Sequence, residues 1–265
     1  MTSVPARPGR VNEDFAGAVP GAAVVLDGAG IPGSGSVCRH GVAWYARRLG
    51  GTLLGLLSPI SDDRTAPPSL PALLAEAIDR VTDEHRDSCE VTDLVSPSAT
   101  VAMLRVCDGV VEHLVLGDST VVLDRVDGPP LVVTDPREVV TSRSYEARLA
   151  ATEPGGDEYR RLLRELRAHR NRPGGFWVAK DDPRAADEAV SGSCPAAELT
   201  GAVLLSNGAS RIVHRFGLAD WPEVLTALAA HGPAEIIRRV RRAEAEHAVP
   251  ADDASIAHCT DLDTA

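Results

Sequence analysis

The ten residues from Gly21 to Gly30, GAAVVLDGAG, constrain the fold more tightly than any other stretch, because five apolar residues at 22–26 stop abruptly at Asp27-Gly28. An unbroken apolar run of that length, closed by turn residues, predicts a buried strand. This strand delivers a carboxylate to its own end, and loops at strand ends are where sites are built.

Two helices are expected next, over residues 36–49 and 71–86, the second from the helical spacing of Leu73, Leu74, Ala77, Ile78 and Val81. A polar loop at 61–69 separates them. From Ala99 the period shortens, and residues 99–128 hold three β-rich runs with Asp108-Gly109 placed as a tight hairpin turn, predicting an antiparallel meander. Residues 143–170, rich in Arg, Glu and Leu, predict one or two exposed helices, broken at 154–156 and closed off at 173–175 by Pro-Gly-Gly in both places. A strand at 202–206, helices at 221–230 and 233–246, and a last strand at 254–258 complete the reading.

That order suits two sheets with helix layers outside them better than alternating βαβ units. The expected class is α+β: a four-layer α/β/β/α sandwich with two mainly antiparallel sheets. At 265 residues and 44% hydrophobic content the chain suits one domain, residues 1–265. Aromatics make up 3%, so Val, Leu, Ile and Ala must build the core.

A net charge of −11, without a basic run interleaved with aromatics, argues against nucleic acid as a partner. No apolar segment approaches membrane-spanning length and the first residues lack a signal-peptide centre, so no membrane partner and a soluble, cytoplasmic protein are expected. Five widely spaced cysteines without a C-x-x-C pair disfavour both a disulfide framework and a zinc site, and are expected to be reduced, mostly buried, small hydrophobes. His113, His214 and His258 sit in or beside strand-like runs and are read as structural. Ser206 lacks the Gly-x-Ser-x-Gly context of a nucleophile.

Acidic residues recur at expected strand boundaries: Glu13 and Asp14 before the first run, Asp27 after the second, Asp118 in Gly117-Asp118-Ser119, and Asp252-Asp253 before the last strand. Carboxylates gathered in one cleft repel each other unless cations neutralise them. Oxygen-only ligation selects Mg²⁺ or Mn²⁺ over zinc.

Along nearly its whole length the chain resembles the type 2C metal-dependent protein phosphatases. The resemblance rests on six motifs in order: Arg10-Val11-Asn12-Glu13-Asp14, Val25-Leu26-Asp27-Gly28-Ala29-Gly30, Pro97-Ser98-Ala99-Thr100-Val101, Gly117-Asp118-Ser119, Leu205-Ser206-Asn207-Gly208 and Asp252-Asp253-Ala254-Ser255. It implies a serine/threonine phosphatase with two Mg²⁺ or Mn²⁺ ions. Asp27 would bridge them, Asp14 and Asp252 would bind one or the other, the Gly28 carbonyl would bind directly and Glu13 through water. Asp118 would serve a third, weaker ion. A metal-bridging hydroxide would then attack phosphorus in line, with Arg10, Asp14 and Asp27 as the catalytic residues and Arg10 gripping phosphate through its planar fork.

Three departures qualify the resemblance. Ser206-Asn207-Gly208 stands where the family has Ser-Asp-Gly, so one expected metal ligand, Asn207, is neutral. A lost unit charge at 4 Å weakens attraction to a cation by about 4 kcal/mol at an effective dielectric near 20. Ala29 occupies the place where some members carry a histidine able to protonate the leaving group. Residues 137–175 do not match the family's flap and read as a flap-like insertion. A phosphorylated protein or a small phosphate ester is the expected partner. The alternatives are a degenerate member that binds a phosphorylated partner without efficient turnover, for which Asn207 argues, and a phosphatase for a small phosphorylated metabolite.

Overall fold

A computed structural model describes residues 1–30, 37–58 and 67–262. In chain order the elements are β1 (Thr2–Val4), β2 (Phe15–Val19), β3 (Ala22–Ala29), α1 (Val42–Leu57), α2 (Leu70–Asp83), β4 (Ser98–Cys107), β5 (Val110–Leu116), β6 (Thr120–Arg125), β7 (Leu131–Thr134), α3 (Arg137–Ala150), α4 (Asp157–Arg167), β8 (Val190–Pro195), β9 (Leu199–Leu205), α5 (Asn207–His214), α6 (Trp221–His231), α7 (Pro233–Glu246) and β10 (Ala254–Cys259). Two five-stranded antiparallel sheets result, one ordered β1-β10-β9-β6-β7 and the other β2-β3-β4-β5-β8.

Side-chain alternation explains why β3 reads as continuously apolar. Val24 and Leu26 point to one face and pack with Tyr45, Leu49 and Leu53 of α1 and Leu74 and Ile78 of α2. Ala23 and Val25 point the other way, against Val121 and Leu123 of β6 and Ala202 and Leu204 of β9. The outer face of the second sheet, with Val122, Val203 and Ile256, is covered by Ile212, Leu228 and Val240 from α5, α6 and α7. The central strands of both sheets are thus buried on both faces, and the four expected layers are present. Asp27 shares the parity of Ala23 and Val25, so it lies on the face of β3 that meets the other sheet.

Several expectations need correction. Of the helix placed at 36–49, residue 36 lies outside the described residues and 37–41 are not helical; α1 begins at Val42 and runs eight residues beyond Leu49. The Gly50-Gly51 pair does not stop it because a Cβ on Gly50 would stand 2.2 Å from the Phe15 ring, so glycine lets β2 and α1 approach closely. The loop placed at 61–69 falls outside the described residues except for its end, where Ser69 caps α2 by accepting from the Ala72 N–H. The Asp108-Gly109 turn forms with both φ values positive, 51° and 72°, as a two-residue hairpin needs. The meander, however, breaks after β5: β6 crosses to the other sheet, pairing with β7 and β9. The crossing turns at Gly117, φ 76°, where a Cβ would meet Thr100 at 2.7 Å. β1, β7, β8 and α5 were not anticipated.

The cysteines also differ from expectation: only Cys38 is buried, while Cys89, Cys107, Cys194 and Cys259 are partly exposed. Cys38, His40 and Cys89, moreover, come together in a potential metal-binding group. His113 is buried beside Gly192, a structural placement. Among the described residues no helix is long and apolar enough to cross a membrane.

Candidate active site

Six segment ends converge at one end of the sandwich. β2 begins at Phe15 opposite Leu26, so Glu13 and Asp14 enter beside the end of β3. Asp27 pairs with Thr100 near the start of β4. The end of β5 leads into Asp118, and the Ser119 hydroxyl that follows bonds the Thr100 hydroxyl at 2.7 Å. β9 ends at Leu205, paired with Ile256 of β10, which sets Asn207 beside Asp252 and Asp253. Two glycines allow the contact: a Cβ on Gly28 would lie 2.3 Å from the Glu13 carbonyl oxygen, and one on Gly208 would lie 1.9 Å from that of Asp253.

Within this cluster Asp27 accepts a hydrogen bond from the Asn207 backbone N–H at 3.0 Å, and the Asn207 side-chain amide donates to Asp118 at 2.8 Å. Asp14 is buried, and neither of its carboxylate oxygens has a donor in hydrogen-bonding geometry, although the Ser206 and Ser255 hydroxyls lie close enough to offset part of the cost. Burial, with the charges of Asp253 and Asp252 adding, pushes the Asp14 carboxyl up to about 7. Asp27 is driven well above the usual carboxylate range by burial and then by the charges of Asp14, Asp118 and Asp252. Asp118 is raised by burial, then by Glu138 and Asp252. Glu13 is raised by burial, with Arg10 opposing and Asp253 and Asp252 adding. These shifts share one cause: like charges have been collected where water is scarce.

All the residues picked out in the sequence therefore meet at this end, but their surroundings differ. Arg10 sits half-exposed at the rim, 4.0 Å from Glu13. Asp253, immediately after Asp252, is a structural pin: its carboxylate accepts from the Ala6 and Glu13 backbone N–H groups, both at 2.7 Å, and so positions Arg10 and Asp14. Ser206 is fully buried, and its hydroxyl accepts from the Ser255 N–H, tying β9 to β10.

Sequence reasoning missed three basic or acidic neighbours. Arg211, one turn into α5 from Asn207, donates to Asp252 at 2.6 Å while Glu244 of α7, 2% exposed, holds it at 2.8 Å. Its spacing of four from Asn207 was the available signal, but α5 itself went unrecognised. Arg170, buried and bonded to the Ser98 hydroxyl at 3.0 Å, places its charge toward Asp118 and Glu138. Glu138, on α3, in turn raises Asp118. The stretch 137–175 thus reaches the cluster from its side.

A family model described as protein phosphatase 2C matches residues 7–168, more than half of the chain. The chain belongs to the protein phosphatase 2C family. Solved members of the family share its fold. The serine/threonine phosphatase PstP/Ppp of Mycobacterium tuberculosis is 16% identical, with a TM-score of 0.59, over 98% of this chain and 96% of that one. The PstP catalytic domain in complex with two manganese ions gives 16%, 0.61, 98% and 95%. Stp1 from Staphylococcus aureus gives 12%, 0.62, 98% and 92%. Among curated protein sequences none matches the chain. The protein phosphatase 2C match contains Glu13, Asp14, Asp27 and Asp118 and ends before Asn207, Arg211 and Asp252.

Proposed function

We propose that this phosphatase 2C chain hydrolyses phosphate monoesters, with phosphoserine and phosphothreonine in proteins as its substrates and Mg²⁺ or Mn²⁺ as its cofactors. The observation that carries the reading is the Asp14–Asp27 pair. Both Asp14 oxygens are buried without a donor, and among the described residues neither carboxylate has a cationic partner. A buried charge left in that state is costly, and a divalent cation with all-oxygen ligands relieves it. Asp14, Asp27, Asp252 and the Gly28 carbonyl would hold two ions, Glu13 would act through water, and Asp118 would serve a third. When bound, such ions lower the pKa of water and neutralise charge that develops on the transferring phosphoryl group.

The chain's own groups do the rest. Asp27 keeps its orientation through the Asn207 N–H, and Asp14 through its seat between β2 and the Ser206 and Ser255 hydroxyls. Arg10 stands at the rim with its guanidinium half-exposed, able to grip two phosphate oxygens. Residues 137–175 would act as a flap, with Arg170 bringing a positive charge toward Asp118 and Glu138. Ala29 supplies no proton to a leaving alkoxide, so good leaving groups should be favoured.

A second reading, a degenerate member that binds a phosphorylated partner without efficient turnover, is favoured by one observation. Arg211 already occupies Asp252, and Asn207 directs its amide N–H, not a negative charge, at Asp118. Turnover of an aryl phosphate with and without Mn²⁺ separates the two. Activity that appears with Mn²⁺ and vanishes in excess chelator supports the phosphatase; full activity in chelator rules out the metal mechanism. Phosphopeptide binding without turnover at saturating Mn²⁺ would favour the degenerate reading.

A further inference from the structure

A second group of ligating side chains lies outside the carboxylate cluster. Cys38 and His40 precede α1, and Cys89 follows α2. The Glu90 N–H donates to the Val37 carbonyl at 2.8 Å and clamps the two segments together. The Cys38 sulfur, a His40 ring nitrogen and the Cys89 sulfur then lie within 4.8 Å of one another, with Cys89 Sγ to His40 Nδ1 at 3.4 Å. We propose that Cys38, His40 and Cys89 form a binding site for a thiophilic metal ion of the zinc type, separate from the carboxylate cluster.

Bond lengths of about 2.3 Å to sulfur and about 2.0–2.1 Å to nitrogen put tetrahedral zinc ligands roughly 3.5–3.8 Å apart. The three atoms need only a small adjustment to reach that spacing. His40 is already oriented, since its ring stacks on Trp44 at 4.3 Å and 24°. Burial raises the Cys38 thiol, opposed by the backbone N–H groups of Gly41 and His40, while at Cys89 burial is outweighed by hydrogen bonds from Cys38, Ser88 and the Arg39 and His40 N–H groups, which lower the thiol. Such donors favour thiolates, the form that binds metal. Cys38 is buried, whereas His40 and Cys89 are partly exposed; water would serve as a fourth ligand. Sulfur and imidazole select zinc-like ions, while the carboxylate cluster selects Mg²⁺ or Mn²⁺; one chain would sort two kinds of ion by donor chemistry. Binding would fix the start of α1, whose Val42 side chain packs against Gly28 of the Asp27 turn.

The test is titration of the reduced, metal-stripped full chain with Co²⁺ in excess Mg²⁺, which occupies the carboxylates. Thiolate ligation gives Co²⁺ a near-ultraviolet charge-transfer absorption that carboxylates do not. The expected result is saturation at one equivalent and displacement by Zn²⁺. The band should be lost in Cys89→Ser, weakened more than about tenfold in affinity in His40→Ala, and unchanged in Cys107→Ser, with circular dichroism verifying each fold. Zn²⁺ should also protect Cys38 and Cys89 of the wild type, but not Cys107, from alkylation read by mass spectrometry. Absence of the band, its survival in Cys89→Ser, or a Cys38–Cys89 disulfide that forms in air despite added Zn²⁺ would overturn the proposal.

Discussion

Among the described residues no cationic side chain pairs with buried Asp14 or partly buried Asp27, whereas at the other side of the same cluster Asp252 is paired with an arginine and Asp118 with a neutral amide. Asp252 has the Arg211 guanidinium at 2.6 Å, and Asp118 has the Asn207 amide at 2.8 Å. The first side is carried by β2 and β3, which are anchored in a core covered on both faces. The second depends on α5, whose Arg211 is held from behind by Glu244 and the Pro250 carbonyl. On the proposed reading, charge balance would fall to an external ion on one side, while Arg211 supplies part of it on the other. This asymmetry leads us to expect an Asp14–Asp27 side that dominates metal binding and an α5 side that tunes it.

The largest effect should come from the side that, among the described residues, no cationic side chain balances. Asp27→Asn is expected to lower aryl phosphate turnover by more than about a hundredfold, beyond the 10–100-fold typical of outer-shell changes. The same variant should raise the melting temperature of the metal-free protein, since a charge repelled by Asp14, Asp118 and Asp252 has gone. Asp118→Asn should cost much less activity at saturating Mn²⁺; the reverse order would exchange the roles assigned to the two residues.

Next in size is Arg211→Met, which releases Asp252 and leaves Glu244 with Arg241 at 2.7 Å and the Asp252 N–H at 3.3 Å. Stability should fall by about 2 kcal/mol in urea unfolding, short of the full loss expected when a buried charge keeps no partner. The Mn²⁺ concentration for half-maximal activity should fall about tenfold as a competing cation leaves. A rise would mean that Arg211 assists the site.

Asn207→Asp sharpens the same comparison more gently. It restores a negative charge but replaces the amide donation to Asp118 with repulsion, so the metal-free protein should melt lower while half-maximal Mn²⁺ falls severalfold. Intact mass must be checked first, because an Asn-Gly pair deamidates to Asp. Unchanged metal dependence would remove Asn207 from the cluster's charge balance. The smallest effect is expected from Arg10→Ala at the exposed rim, which should raise KM more than it lowers kcat if Arg10 grips phosphate equally in ground and transition states. Unchanged kinetics would leave Arg10 a surface residue.

The sequence made the first side of the site more legible than the second. β3 announces itself because five apolar residues run unbroken into Asp27, and α6 and α7 because Pro222 and Pro233 open well-patterned helices. α5 has eight residues, no side-chain cap and a start that coincides with a strand end, so nothing local marked Arg211 as facing the cluster. The passage of β6 into the other sheet hinges on a single positive-φ glycine, Gly117, which resembles any hairpin turn. Cys38 and Cys89 carry no periodic signal; their meeting depends on a backbone clamp between two loops. Local pattern thus reveals residues fixed by strand register, and conceals those placed by helix packing or loop contact.

Calorimetric titration of Mn²⁺ into the chelator-stripped protein and into Asp27→Asn asks whether the Asp14–Asp27 pair holds a divalent cation. Mn²⁺ prefers oxygen to thiolate ligands, so the heat reports the carboxylate cluster. The wild type is expected to bind Mn²⁺ saturably with a rise in melting temperature, and Asp27→Asn to lose both. Equal binding by the two proteins, or a wild type that neither binds Mn²⁺ nor gains stability from it, would contradict the view that the Asp14–Asp27 pair is built to be neutralised by a divalent cation.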